Sequence, residues 1–319
     1  MRENLYASLY HRQLGTLVTI PRGTGTRAKI PRWGTAMKTG GGGTSFVYAV
    51  SAGGMSAISA RAEGTTVTPT SLSAQFITGD VVQFAGAKSY SDKSVLVVRG
   101  NIIEGCLETE VREMAFRLDR YTLQNISASA TTRRAGGKAA GAVAGTDVLN
   151  GKNTARIAPY MDANNVPRWE DETFVAVTHP LNQFDVFADP SANGFVSVAR
   201  YGERQKIYKG EVGQMYGIRF LFSNANLRVF GAATNTATQG LSAGVTGSPT
   251  WVYAPDAFYS LELEDGGVEV IHHPPGSGGS TGDPTNVIGS VATKVWYGVA
   301  AAPSGDQRLM RFMHASSLR

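Results

Sequence analysis

Several groups of residues in this chain have types and spacings that could carry chemistry, and each lacks a necessary part. Residues 40–45, GGGGTS, are glycine-rich enough to cradle a phosphate. They lack the Gly-Lys-Ser/Thr ending that supplies the charge and the magnesium ligand of a nucleotide loop. His272 and His273 are adjacent in the alternating segment VEVIHH. Neighbours in a strand point to opposite faces, so the two imidazoles do not share one metal ion. His179 and Asp185 in THPLNQFD suggest a His/Asp pair, but no serine or cysteine stands in a nucleophile-elbow context. Glu262, Glu264, Asp265 and Glu269 imitate the carboxylate pair of a glycosidase, and solvated strand edges account for them as well. The single cysteine, Cys106, excludes an intramolecular disulfide and a Cys-rich zinc site. It reads as a small apolar side chain of a protein made in a reducing cytoplasm. The expectation is no catalytic residue, no metal ligand and no cofactor.

The framework behind these residues is a globular one. Among 319 residues, 42% are hydrophobic and only 17% charged, which supports a sizeable core and argues against charge-driven disorder. The 38 glycines predict many turns. A net charge of +5 permits contact with a polyanion without marking a dedicated nucleic-acid binder. No apolar run has the length of a signal-peptide core or a membrane span, so a soluble protein with no membrane partner is expected.

Periodicity divides the chain. Residues 1–25 read as an arm without a core of its own. Residues 26–90 carry short β-leaning runs (AKIPRW, SFVYAV, TTVTP, DVVQFAG) separated by glycines, and predict a long hairpin-like excursion. With few bulky aliphatics, that excursion cannot bury its own core and must lie on something else. Residues 101–126 predict the clearest helix, with Ile103, Leu107, Val111, Met114, Leu118 and Tyr121 on one face and charges on the other. Glu108/Arg112 and Glu113/Arg117 are i,i+4 pairs in the favourable order. The Ala/Gly/Thr-rich stretch 127–145 predicts a mobile joint, and the Thr/Gly-rich stretch 234–248 a surface loop. Shorter helices are predicted over 147–161, in LNQFDVFAD and over 197–208, with a buried strand in TFVAVTHP and a strand at the end of the turn-rich segment YKGEVGQMYGIRFLFSN. The last third alternates strands with Gly/Pro loops. Mixed elements without regular βαβ alternation predict an α+β fold.

Charge is unevenly distributed. Between Pro21 and Ala62 lie Arg22, Arg27, Lys29, Arg32, Lys38 and Arg61 and no acid. Between Ala254 and Thr293 lie Asp256, Glu262, Glu264, Asp265, Glu269 and Asp283 and no Lys or Arg. Glu104, Glu108, Glu110 and Glu113 add acid at the start of the long helix. The expectation is that the basic excursion of one copy lies across an acidic strip of its neighbour, complementary potentials setting register and speeding encounter.

The order of several segments resembles the major capsid proteins of tailed bacteriophages with the Hong Kong 97 fold, closest to the branch that includes the coat protein of coliphage N4. Residues 62–92 match that family's Glu-Gly segment, nearby Pro and Gln/Gly step in type through Glu63, Gly64, Pro69, Gln83 and Gly86. Phe84-Ala85 stand where many relatives carry a tyrosine. FVAVTHPLNQFDVFAD is similar to its strand, His-Pro and helix. IYKGEVGQMYGIRFLFSN resembles its Gly-Glu-Ile/Val-Gly motif and Gly-x-Arg-Phe strand, and DPTNVIGSVATKVWYGVAAA its closing strand. The resemblance implies an N-terminal arm (1–25), an extended loop (26–90), a peripheral domain with a spine helix (91–171), an axial domain (172–290) and a return to the peripheral domain (291–319). It also implies self-assembly into hexamers and pentamers of an icosahedral head. Portal and possibly scaffolding or decoration proteins are the implied partners, with double-stranded DNA inside. The product would reside in the virion after synthesis in the host cytoplasm. The inter-subunit candidates are Arg27, Lys29, Arg32, Lys38, Arg61, Glu104, Glu108, Glu262, Glu264 and Glu269. A decoration or tail-tube protein would share the β-rich, glycine-rich composition but leaves the long helix without a purpose. A polysaccharide-degrading enzyme would require a buried carboxylate pair in a cleft, and a DNA-binding module basic residues interleaved with aromatics.

Overall fold

The computed structural model describes residues 10–38, 44–47, 73–97, 101–187, 196–197, 211–226, 229–230, 241–242, 244–264, 266–276, 287–302 and 307–318. The strands and helices are, in chain order, β1 (Thr16–Ile20), β2 (Arg27–Lys38), β3 (Thr44–Val47), β4 (Ser73–Ser91), α1 (Asp92–Val97), α2 (Ile102–Ser127), β5 (Thr131–Arg134), α3 (Gly151–Thr154), α4 (Ile157–Asp162), β6 (Phe174–Thr178) and α5 (Asn182–Phe187). Next come β7 (Val196–Ser197), β8 (Glu211–Met215), β9 (Ile218–Phe222), β10 (Val229–Phe230), β11 (Thr246–Tyr253), β12 (Phe258–Leu263), β13 (Glu269–His273), β14 (Ile288–Ala301) and β15 (Leu309–Ala315).

Two sheets share one helix. The first sheet has the order β1-β12-β14-β4-β2-β3, with β13 also on β14; the second has β5-β15-β11-β6-β9-β8-β7, with β10 on β11. Helix α2, on the order of 40 Å long at 1.5 Å per residue, packs against both. Its Val111, Met114, Leu118 and Ile126 meet Val175, Val177 and Leu221 of the second sheet and Phe258, Val295 and Tyr297 of the first. The helix begins where Asn101 accepts the Glu104 N–H at 3.3 Å and donates back to the Glu104 carboxylate, a reciprocal cap.

The second sheet is covered on its other face by Ile157 and Met161 of α4 and Val186 of α5, packed on Phe174, Ala176, Phe220 and Phe312. That accounts for the unbroken apolar run of β6, whose five residues are all buried between β11 and β9. The turn from β8 to β9 takes Tyr216 and Gly217 through positive φ (50° and 75°), as a two-residue hairpin turn demands.

Four expectations need correction or fall away. Residues 127–145 are not a loose joint: β5 pairs in parallel with β15, and Ala135 and Val143 are fully buried. Of the surface loop expected over 234–248, residues 234–240 and 243 lie outside the described residues, and the rest is not a loose loop, because Leu241 packs with Val143 and Met313 and β11 starts at Thr246. The helix expected over 147–161 is two short ones, since Pro159 has no N–H to continue a helix from α3 and sits instead in the first turn of α4. Of the helix expected over 197–208, Ser197 lies in β7 and the rest lies outside the described residues. After Tyr253 a short turn through Asp256 (φ 55°) carries the chain into the first sheet with β12 and β13, and β15 returns it to the second.

Candidate assembly interface

The most extended feature is the β2/β4 pair. At 19 residues and roughly 3.3 Å per residue, β4 spans about 60 Å. Its residues 81–91 pair with β14, while residues 73–80 pair with β2 in the register Arg27↔Asp80 to Gly34↔Ser73. The base of this hairpin is anchored on the face of the first sheet away from α2, where Ile77, Val81 and Ala28 meet Ile20, Leu261 and Ala300. Farther out Phe76 is 61% exposed. Arg27 is exposed and donates twice to Asp80, at 2.7 and 2.9 Å, which raises the guanidinium pKa and lowers that of the carboxyl. Lys29 is exposed on β2; Arg32 lies opposite Gln75 and Lys38 opposite Thr44. Arg61 lies outside the described residues.

The acids meet partners within the chain. Strand β1 runs parallel to β12 and brings Arg12 onto Glu262 and the Arg22 N–H onto Glu264 at 3.2 Å. Thr16 donates to Asp256 at 2.7 Å, and Lys294 pairs with Glu269 at 2.5 Å. On α2, Glu108 pairs with Arg112 at 2.6 Å, and Glu113 with Lys88 at 2.7 Å and Arg117 at 3.3 Å. Glu104 and Glu108 are exposed; Glu110 is not. Glu110 lies against Gly86 of β4, where a Cβ would collide with its Oε1, and Thr293 of β14 donates to it at 3.5 Å.

A second buried carboxylate, Asp119, joins α2 to the N-terminal segment. Its Oδ1 accepts the His11 N–H at 2.9 Å, and the His11 ring meets the Tyr253 hydroxyl at 2.6 Å. Burial lowers the His11 pKa to about 3 and raises that of Asp119 to about 7, against the pull of the Tyr10, His11 and Arg12 N–H groups. Beside them Tyr297, bonded to Thr122 at 2.9 Å, is pushed up to about 12 by burial, and Tyr253 is raised too. Sequence reading set Glu110 among the acids offered to a neighbouring copy, whereas it is buried within the chain, and did not single out Asp119. The signal available was position, because Asp119 stands four residues from buried Ala115 and three from Thr122.

Apolar side chains are exposed at two further places. Leu96 of α1 is 84% exposed, beside Val97 and, across the Asp92 N–H to Val287 carbonyl bond, Ile288. Phe184, Phe187, Pro180 and Leu318 line an open hollow beside the cleft formed by Tyr10, Phe116, Asp119 and Phe222.

The groups singled out for chemistry are dispersed. His272 meets the Tyr90 hydroxyl at 2.7 Å, and His273 projects from the other face of β13. His179 accepts the Leu181 N–H at 3.2 Å, and Asp185 accepts the Ser317 N–H at 3.1 Å. Cys106 is half-buried on α2. Of residues 40–45, Thr44 and Ser45 lie in β3. Among the described residues no three His, Cys, Asp or Glu side chains converge, and no helix is long and apolar enough to cross a membrane.

Two sheets on a shared long helix, with one strand pair running out beyond the core, is an architecture found in solved structures. The chain has a phage capsid fold. The capsid of Ralstonia phage GP4 matches with a TM-score of 0.66 at 11% identity, covering 97% of this chain and 92% of that one. The cyanophage Pam1 capsid matches at 0.60 and 12% identity over 100% and 93%, and the capsid of cyanophage P-SCSP1u at 0.59 and 16% over 95% and 87%. No protein-family model and no curated protein sequence matches the chain. The likeness to capsids is therefore one of three-dimensional arrangement, spanning nearly the whole chain.

Proposed function

We propose that this chain is the major capsid protein of a tailed phage, which self-associates into the hexamers and pentamers of an icosahedral head around double-stranded DNA. The observation that carries the reading is the β2/β4 hairpin. It extends from a packed base and, among the described residues, exposes Phe76, Arg27 and Lys29, a surface a neighbouring molecule would cover. The capsid fold over nearly the full chain supports it.

In finer terms the reading is a Hong Kong 97-type subunit of the branch that includes coliphage N4. Residues 1–25 serve as arm, 26–90 as extended loop, 91–171 and 291–319 as peripheral domain and 172–290 as axial domain. Portal, scaffolding or decoration proteins are its further partners, and the virion is its destination after synthesis in the host cytoplasm. It assigns the chain no catalytic step. Assembly proceeds through repeated heterologous contacts that close on rotation axes. The contacts join Arg27, Lys29, Arg32, Lys38 and Arg61 of one copy to acids of the next. Glu104, Glu108, Glu264 and Glu269 are exposed for that role, whereas the half-buried Glu262 acts through the N-terminal segment it holds.

Negative-stain imaging of the purified protein tests the reading: shells, rings or capsomer sheets are expected, and uniform monomers at high concentration overturn it. Replacing Arg27, Lys29 and Arg32 by Glu tests the contact. Shell formation should slow while the subunit stays folded, and an unchanged rate with unchanged salt dependence rejects it.

A further inference from the structure

The cleft between the N-terminal segment, α2 and the residues after β9 has a volume of about 240 Å³. Its walls are Tyr10, Phe116, Pro180 and Phe222, and Asp119 lies in its floor. Asp119 is 1% exposed; its Oδ1 holds the His11 N–H, and although the Tyr10 and Arg12 N–H groups also face the carboxylate, Oδ2 makes no hydrogen bond of good geometry among the described residues. A buried carboxylate oxygen without a partner costs several kcal/mol unless it is protonated or meets a cation. The raised pKa of the group reports that same cost. Aromatic faces beside a carboxylate form a setting that holds a guanidinium or ammonium group by charge and by cation–π attraction. Arg112 at the rim is turned to Glu108 at 2.6 Å on the exposed side of the helix.

We propose that this cleft is a socket for a cationic side chain, a lysine or arginine contributed by a neighbouring copy of the chain. It rests on the capsid reading and names where one basic group of the assembly goes. The donor is the run from Pro21 to Ala62, which carries six basic residues and no acid, with Lys29 already exposed on β2. The chain's own Arg2 is the rival occupant, but Glu3 beside it offsets its charge.

Asp119→Asn separates the socket from the fold, because the amide oxygen still accepts the His11 N–H while the charge is gone. Trypsin cleavage after Arg12 should stay as slow as in the native chain. Shell formation, followed by light scattering, should slow by at least about tenfold, because losing one side of a buried charge contact weakens association by more than that. N-acetyl-arginine amide should slow assembly of the native chain more than sodium chloride of equal ionic strength, and should have no such effect on the variant. Assembly of the variant at the native rate, or inhibition by the amide no stronger than by salt, overturns the proposal. So does Arg2→Gln reproducing the defect of Asp119→Asn, since the chain's own terminus would then fill the cleft. If Asp119→Asn does not fold, the amide experiment on the native chain decides alone. If the native chain forms no shells, the capsid reading fails by itself. The socket is then judged by NMR titration of the subunit with the amide, where saturable shifts at Tyr10, Phe116 and Phe222 support it and their absence rejects it.

Discussion

In the second sheet, β6 carries five consecutive buried residues between β11 and β9, with α2 on one face and α4 and α5 on the other. In the first sheet, β4 turns Phe84, Gly86 and Lys88 toward α2 but leaves Gln83, Ala85, Ala87 and Ser89 exposed on the opposite face. The base of the β2/β4 hairpin is covered there by Ile20, Leu261 and Ala300, while Phe76 beyond it is exposed. A sheet sandwiched on both faces contributes stability to the isolated subunit. The described part of the first sheet's outer face contributes surface, which on the proposed reading a neighbouring copy covers. The contrast teaches that a charge or a cavity introduced in the second sheet should be read out as unfolding, and a change in the first sheet's outer half as altered association.

The sharpest break of that contrast is Leu118→Asp, since Leu118 sits where α2 touches both sheets. An unpaired carboxylate there costs several kcal/mol, comparable to the stability of a domain. Circular dichroism and solubility should show loss of folded subunit. Val111→Asp should do the same, whereas Leu107, only partly buried, should tolerate Asp better. Next in size is Phe220→Ala, which empties a fully buried position in the second sheet and should lower the unfolding free energy in urea by about 3–5 kcal/mol.

The junction between the N-terminal segment and α2 should respond to pH with two opposed signs. The Asp119 carboxyl, raised from 3.8 to about 7, keeps its proton in the folded chain after the unfolded chain has lost it. Its contribution therefore falls as pH rises from about 4 to 7, by roughly 4 kcal/mol at most. His11 and His314, lowered to about 3 and 4, act oppositely. Their stability is complete above 6.5 and is lost as pH falls through the acid range. The groups facing Asp119 are His11 and Arg12 on the N-terminal segment, Tyr253 on β11, Tyr297 on β14 and Arg112 on α2. Asp119→Asn removes the acid-side gain, so its Tm should fall more steeply between pH 6.5 and 4 than that of the native chain. Parallel Tm profiles would show that the carboxyl titrates as it does in the unfolded chain.

A smaller effect is expected at the close contact of β4 with α2. Gly86→Ala should destabilise by about 1–3 kcal/mol through overpacking, and Glu110→Ala in the same chain should recover most of the loss. At the outer edge, Arg27→Gln should leave Tm unchanged, because an ion pair open to water contributes little to folding. Its effect, if the hairpin is a contact surface, should appear in assembly rate alone.

Much of this was legible in the chain's own pattern. The 3.6-residue period fixed α2 to within a residue at each end, and its i,i+4 pairs are formed. The apolar runs located β6 and β9, and the β-leaning runs with their glycines outlined the β2/β4 excursion. These are local signals, set by side-chain spacing and backbone sterics. What the sequence could not decide depends on distant residues meeting. Glu110 and Asp119 read as part of a charged helix face, and they are buried because β4, β14 and the N-terminal segment close over them. The Ala/Gly/Thr stretch read as a loop because nothing local orders it; its order comes from β15, nearly 180 residues later by the registers. The acids after Ala254 looked unpaired along the chain, and they are matched by Arg12, Arg22 and Lys294 only because β1 lies on β12 and β13 on β14. Periodicity reports which side of an element turns inward, but the identity of what it turns toward is a property of the closed fold.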